Sequence, residues 1–163
     1  MNGDSKLYSI LEQLNIRFEY IEHPPAPTIE IARKYWAEHD AKHCKNLFFR
    51  NHKGNRHYLV ILDCNCEMDI HAIEKILKQG KLSFASEQRM EKYLGIKPGS
   101  VSPFGLINDT DKHVYLFLDK NLKKAEHVSF HPCVNTASLI ISCNDLLHFL
   151  NYTGNQYEWI DLY

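Results

Sequence analysis

The sequence predicts one domain over residues 1–163 of mixed class, α+β or α/β, in which strands outnumber helices. Three observations lead there. Short β-rich runs such as Tyr58 to Leu62 recur along the chain, amphipathic segments of helical spacing fall between them, and no repeat or low-complexity linker divides the two. With 163 residues, 44% hydrophobic and 24% charged, the chain is long enough to bury a core without staples and too apolar to be disordered.

The elements follow in order. Leu7, Ile10, Leu11 and Leu14 recur at helical spacing behind Asp4 or Ser5 as a cap, and RFEYIEH then alternates as a strand. HPPAPT breaks regular structure, and Thr28 can cap a helix through IEIARKYWAEH. KNLFFRNHKGNRHYLVILD reads as a hairpin turning at His52 to Asn55. Asp69 caps IHAIEKILKQ, and SEQRMEKYL stops at Gly95. KPGSVSPFGLIND follows as a stiff, bare loop whose LIND is expected to be a strand, because glycine permits close approach and proline removes a donor. HVYLFLD, EHVSF and ASLIIS are further strands; Asn144 is expected to cap DLLHFLNY, which ends near Gly154, and the aromatic tail NQYEWIDLY packs back on the core.

The totals bound the function. A net charge of -1 means that a nucleic-acid partner must be met by a local basic face. Five cysteines, with no apolar leader in MNGDSKLYSI, point to a reduced, cytoplasmic setting, and no apolar run reaches the roughly 20 residues that span a bilayer.

Few residues suggest chemistry by spacing. Cys64, Cys66 and His71 lack the paired spacing of a structural zinc site, so no metal is expected. Cys44 beside His43, or Cys133 near His131, could be a thiol and its base, but neighbours on a strand face opposite ways. Ser100 and Ser102 in GSVSPFG imitate a nucleophile elbow, with Pro103 where a glycine is needed and no helix expected after it. The loop's other reading is that the N–H groups of Gly99 to Ser102 stabilise a carbonyl oxygen. Lys45, with Asn46 beside it, would usually snorkel at a strand edge; aimed into a cleft it could hold a phosphate or carbonyl oxygen, with Asn46 supplying an amide.

HPPAPT with Glu30 and Ala32, KNLFFR with YLVIL, LSFASEQRMEKYLGIKPGSVSPFGLIND, and FHPCVNTASLIIS with DLLHFL together resemble the YbaK-like aminoacyl-tRNA deacylases, above all the free-standing prolyl-tRNA editing proteins. The matching pieces keep the family's order over nearly the whole chain. The resemblance implies a mixed β-sheet partly closed into a barrel with helices around it, and hydrolysis of the ester in mischarged Ala-tRNA(Pro). No cofactor is implied. Lys45 matches the family's functional lysine, Asn46 the residue beside it, Gly99–Pro103 its G-x-x-x-P loop and His131 its FHP histidine.

On that basis Lys45, Asn46 and the main chain of Gly99, Ser100, Val101 and Ser102 are expected to carry the chemistry. Thr28, Ile29, Leu47, Phe104, Gly105, His131, Val134 and Asn135 are expected to shape the substrate pocket. Lys78, Lys81, Arg89 and Lys92 are the expected phosphate contacts. The partners implied are tRNA(Pro) and a prolyl-tRNA synthetase, with no membrane. Three rivals remain open: a pocket for Cys-tRNA(Pro) or another small residue, a tRNA- or synthetase-binding module without catalysis, and an unrelated cysteine hydrolase.

Overall fold

The computed structural model describes residues 1–25 and 41–162. Its strands are β1 (Glu19–Glu22), β2 (Lys42–Arg50), β3 (His57–Asp63), β4 (Ser83–Phe84), β5 (Tyr115–Asp119), β6 (His127–Phe130), β7 (Ala137–Ser142) and β8 (Tyr157–Ile160). They form one mixed sheet in the order β1-β7-β6-β2-β3-β5-β8, with β4 beside β2. β2 and β3 make the expected antiparallel hairpin, while β5 runs parallel to β3 and β8 parallel to β5. The helices are α1 (Ser5–Gln13), α2 (Ile70–Leu77), α3 (Glu87–Leu94) and α4 (Cys143–Thr153), with two 3-10 turns, Pro103–Asn108 and Lys120–Lys124.

β3 explains why its sequence is continuously apolar. Leu59 and Ile61 face the larger core with Leu7, Leu11, Phe104 and Phe149, whereas Tyr58, Val60 and Leu62 face a second core with Phe49, Ile73 and Phe117. A strand buried on both faces has no polar face to show. The sheet is thus covered on both sides, and among the described residues it does not close.

Local chemistry sets the helix ends. Asp4, Asp69 and Ser86 accept first-turn N–H groups of α1, α2 and α3, and Gly95 ends α3 in the left-handed conformation. Two expectations are corrected. α4 is capped by Ser142, whose Oγ accepts the Asp145 N–H, so Asn144 lies inside the first turn. LIND is not a strand: Pro103–Asn108 is a 3-10 helix with Ser102 as its cap and proline at its start, where the missing N–H costs nothing. Asp109 closes it by accepting N–H groups of His113 and Val114 and the Asn155 amide.

Beyond the hairpin turn, Arg89 donates to the Gly54 carbonyl at 2.8 Å and to His57 Nε2 at 2.9 Å. Guanidinium only donates, so His57 Nε2 accepts, and its Nδ1–H donates to His113 Nε2 at 2.9 Å. Tyr93 stacks on the His113 ring and lies tilted against the His57 ring. Burial first, then His113 and Arg89, lowers the His57 pKa from 6.5 to about 4. The unfolded chain therefore takes up a proton that the fold refuses. Stability is full above about pH 6.5 and falls by up to about 3 kcal/mol as the pH drops toward 4. Thermal midpoints followed from pH 7 to 4 should fall less steeply in His57→Asn than in the wild type; equal slopes would refute the assignment.

Candidate active site

The site forms where the sheet parts. β6 pairs with β2 only at Lys42 and His43, and β4 only at Phe49 and Arg50. Among the described residues, no strand pairs with residues 44–47 on that edge. The open edge faces a cleft of about 290 Å³ lined by Cys44, Asn46, Leu47, Phe48, Phe84, Met90, Pro98, Gly99, Val101 and His131. A recess of about 40 Å³ shares Cys44, Asn46 and His131 with it and is lined further by Ser129 and Ser138. A larger groove of about 610 Å³ lies beside His57, His113 and Tyr115 and contains none of the sequence-predicted site residues.

Lys97–Ser100 is a tight turn with proline second and glycine third, closed by the Ser100 N–H on the Lys97 carbonyl at 3.2 Å. Gly99 takes φ +87° there, which a side chain would strain. The Ser100 N–H is consequently spent inside the turn, and the Ser102 side chain is spent as a cap; both residues are buried. Neither is placed as a nucleophile. Gly99 and Val101 line the cleft with their N–H groups engaged by none of the described residues.

Asn46 supplies the complementary group. Its Nδ2 donates to the Cys44 carbonyl at 3.3 Å, which fixes the amide orientation, and its Oδ1 is buried with no hydrogen-bond partner among the described residues. A buried acceptor left without a donor is costly, so this oxygen is suited to a donor brought by a ligand. The amide thus offers the cleft an unused acceptor beside the second N–H of its Nδ2. His131 donates Nδ1–H to the Ala137 carbonyl at 2.8 Å, leaving Nε2 as an acceptor, and burial lowers its pKa. His23 packs beside it and bonds Ser138 at 2.9 Å.

Strand alternation divides the pair of residues first singled out. Cys44, Asn46 and Phe48 share one face of β2; Lys45, Leu47 and Phe49 share the other. Lys45 does not line the cleft. Its half-buried ammonium donates to the Cys66 carbonyl at 2.8 Å and has no carboxylate partner among the described residues. Two of its donors remain for an anion or carbonyl.

Other expectations move. Phe104 and Gly105 are core, not pocket: the 3-10 helix turns Phe104 onto Phe130 and Phe149, and a Cβ at Gly105 would meet the Leu94 carbonyl at 2.8 Å. Asn135 sits near Gly99, while Val134 does not line the cleft. Thr28 and Ile29 lie outside the described residues. Lys78, Lys81 and Lys92 are exposed, but the Arg89 Nη1 is used internally on Gly54 and His57. The thiols are poor nucleophiles: burial pushes Cys44 well above its ordinary range and Cys133 up to about 12. Phe84 and Met90, absent from the sequence reading, complete the wall.

The sequence profile of the aminoacyl-tRNA editing domain matches residues 23–149, which carry β2, the G-x-x-x-P loop and His131. The chain belongs to the aminoacyl-tRNA editing domain family. Within that family it is 38% identical to the prolyl-tRNA editing protein ProX of Acetoanaerobium sticklandii, over 99% of each chain. It is 33% identical to a mouse prolyl-tRNA synthetase associated domain-containing protein 1, over 93% of this chain and 94% of the mouse protein. The editing-domain fold is also seen in a crystal structure described as a candidate trans-editing enzyme for prolyl tRNA synthetase. That structure has a TM-score of 0.72 and 21% identity and covers 99% of this chain and 98% of its own.

Proposed function

We propose that this chain is a trans-editing aminoacyl-tRNA deacylase that hydrolyses the ester of mischarged Ala-tRNA(Pro), working in the cytoplasm alongside a prolyl-tRNA synthetase. The observation that carries the reading is one cleft lined both by Asn46, whose Oδ1 has no partner among the described residues, and by Gly99 and Val101, whose N–H groups no described residue engages. An aminoacyl ester needs both: a donor pair for the carbonyl oxygen as it gains charge, and acceptors for its ammonium or for the attacking water. His131 Nε2 is a second acceptor on the same wall.

No protein nucleophile is required, because the ester is already activated and positioning of water supplies the rest. Water attacks the carbonyl carbon, the ribose oxygen leaves and takes a proton, and alanine and free tRNA are released. Lys45, on the other face of β2, holds the terminal nucleotide or its phosphate across the open edge. Lys78, Lys81 and Lys92 offer further phosphate contacts, which steer but do not specify. Size favours alanine as the substrate: the recess beside Asn46 is small, and a pocket that turns away the larger ring discriminates better than one that must attract a methyl group.

tRNA(Pro) charged separately with alanine, cysteine and proline gives the test. Loss of the alanyl ester alone, unaffected by a thiol-blocking reagent, is the expected result. Preferential loss of the cysteinyl ester would reassign the pocket, and stability of all three would leave a binding module.

A further inference from the structure

Phe84 is exposed over 65% of its surface, in a molecule whose other large hydrophobic residues are mostly buried. Its position is not loose. β4 pairs Phe84 directly with Phe49, the two rings stack at 4.7 Å and 28°, and the next residue, Ala85, donates its N–H to the Phe48 carbonyl at 2.9 Å. Phe49 is buried, so it supports one face of the Phe84 ring from below. The result is a flat aromatic surface, fixed by backbone pairing, on the wall of the cleft that holds Asn46 and Gly99.

Its place along β2 is informative. Phe84 lies opposite Phe49, three residues from Asn46, or about 10 Å along a strand. That is the span of one nucleoside. It lies on the Lys45 face of the strand, and the exposed lysines Lys81 and Lys97 flank the segments that bear it and the loop.

We propose that Phe84 is the stacking platform for the terminal adenine of the tRNA substrate. This rests on the deacylase reading above and extends it from the ester to the nucleotide that carries it. A base on Phe84 continues the Phe49–Phe84 stack, sets its ribose over the open edge of β2, and delivers the ester to Asn46 and the Gly99–Val101 N–H groups. Stacking is tolerant of sequence, which suits an end common to all tRNAs. Phe84 is a positioning residue: it touches the base and not the reacting bond.

The test compares wild type with Phe84→Leu, which keeps apolar bulk without an aromatic face, and Phe84→Trp, which keeps the face. Two measurements are made: deacylation of Ala-tRNA(Pro), and fluorescence of uncharged tRNA(Pro) bearing 2-aminopurine as its terminal base. Stacking quenches that fluorophore. The expected result is quenching by wild type and Phe84→Trp but not by Phe84→Leu, with KM for deacylation raised roughly tenfold or more in Phe84→Leu and kcat little changed. Equal quenching by wild type and Phe84→Leu, or no quenching by wild type, overturns the proposal. So does a Phe84→Leu protein with wild-type KM. Wild-type protein that quenches but hydrolyses no aminoacyl ester would sink the deacylase reading and leave the stacking platform standing.

Discussion

Replacing Lys45 by alanine is expected to reduce kcat/KM for deacylation of Ala-tRNA(Pro) roughly 10- to 100-fold, the scale on which loss of a charge-assisted hydrogen bond to the substrate is felt. The fold should survive. Lys45 makes one hydrogen bond, to the Cys66 carbonyl, in a half-buried position without a carboxylate partner, so its removal costs on the order of 1 kcal/mol of stability. Lys45→Arg should rescue incompletely, because a planar fork directs its donors differently from a compact ammonium. Single-turnover deacylation with thermal unfolding on the same samples separates the two effects. Near-normal activity in Lys45→Ala would remove Lys45 from the mechanism.

Phe104→Ala should have the largest effect on stability, about 3–5 kcal/mol. Phe104 is fully buried and meets Phe149 at 5.3 Å and Phe130 at 5.9 Å, both edge to face. It belongs to the 3-10 helix that directly follows the G-x-x-x-P loop, so the cavity left behind loosens the wall that carries the Gly99 and Val101 N–H groups. Activity should fall together with the denaturation midpoint. Against a total stability that for most domains is about 5–15 kcal/mol, this is a large fraction of what holds the fold. A midpoint shifted by less than about 1 kcal/mol would contradict this packing.

Most of the frame was legible because its determinants are local. Asp69, Ser86 and Gly95 mark helix ends by hydrogen-bonding and conformational rules that operate over a few residues. The β2–β3 hairpin was legible from β-branched and aromatic runs on either side of a turn. LIND was misread as a strand although the helical signal was present just before it, a serine cap followed by proline at the first helical position. Phe104 and Gly105 were placed in the pocket because they follow the G-x-x-x-P loop, and the 3-10 helix instead turns them into the core. β4 escaped notice because two residues carry no periodicity; only pairing with β2 makes Ser83 and Phe84 a strand. The separation of Lys45 from Asn46 could have been read from strand alternation alone. The orphaned Asn46 oxygen could not, since it depends on which neighbours fail to reach it.

β2 also limits how the gene can change. Its outer edge belongs to β6 at one end and to β4 at the other, while its inner edge is zipped to β3 from Cys44 to Arg50. Substitutions here act one at a time, but a single codon inserted or deleted between Lys42 and Lys45 would transpose every later side chain of the strand across the sheet. Lysine would then face the loop, asparagine the second core, and the two phenylalanines would trade hydrophobic layers. Length polymorphism should therefore collect in the turn at residues 51–56, outside this strand.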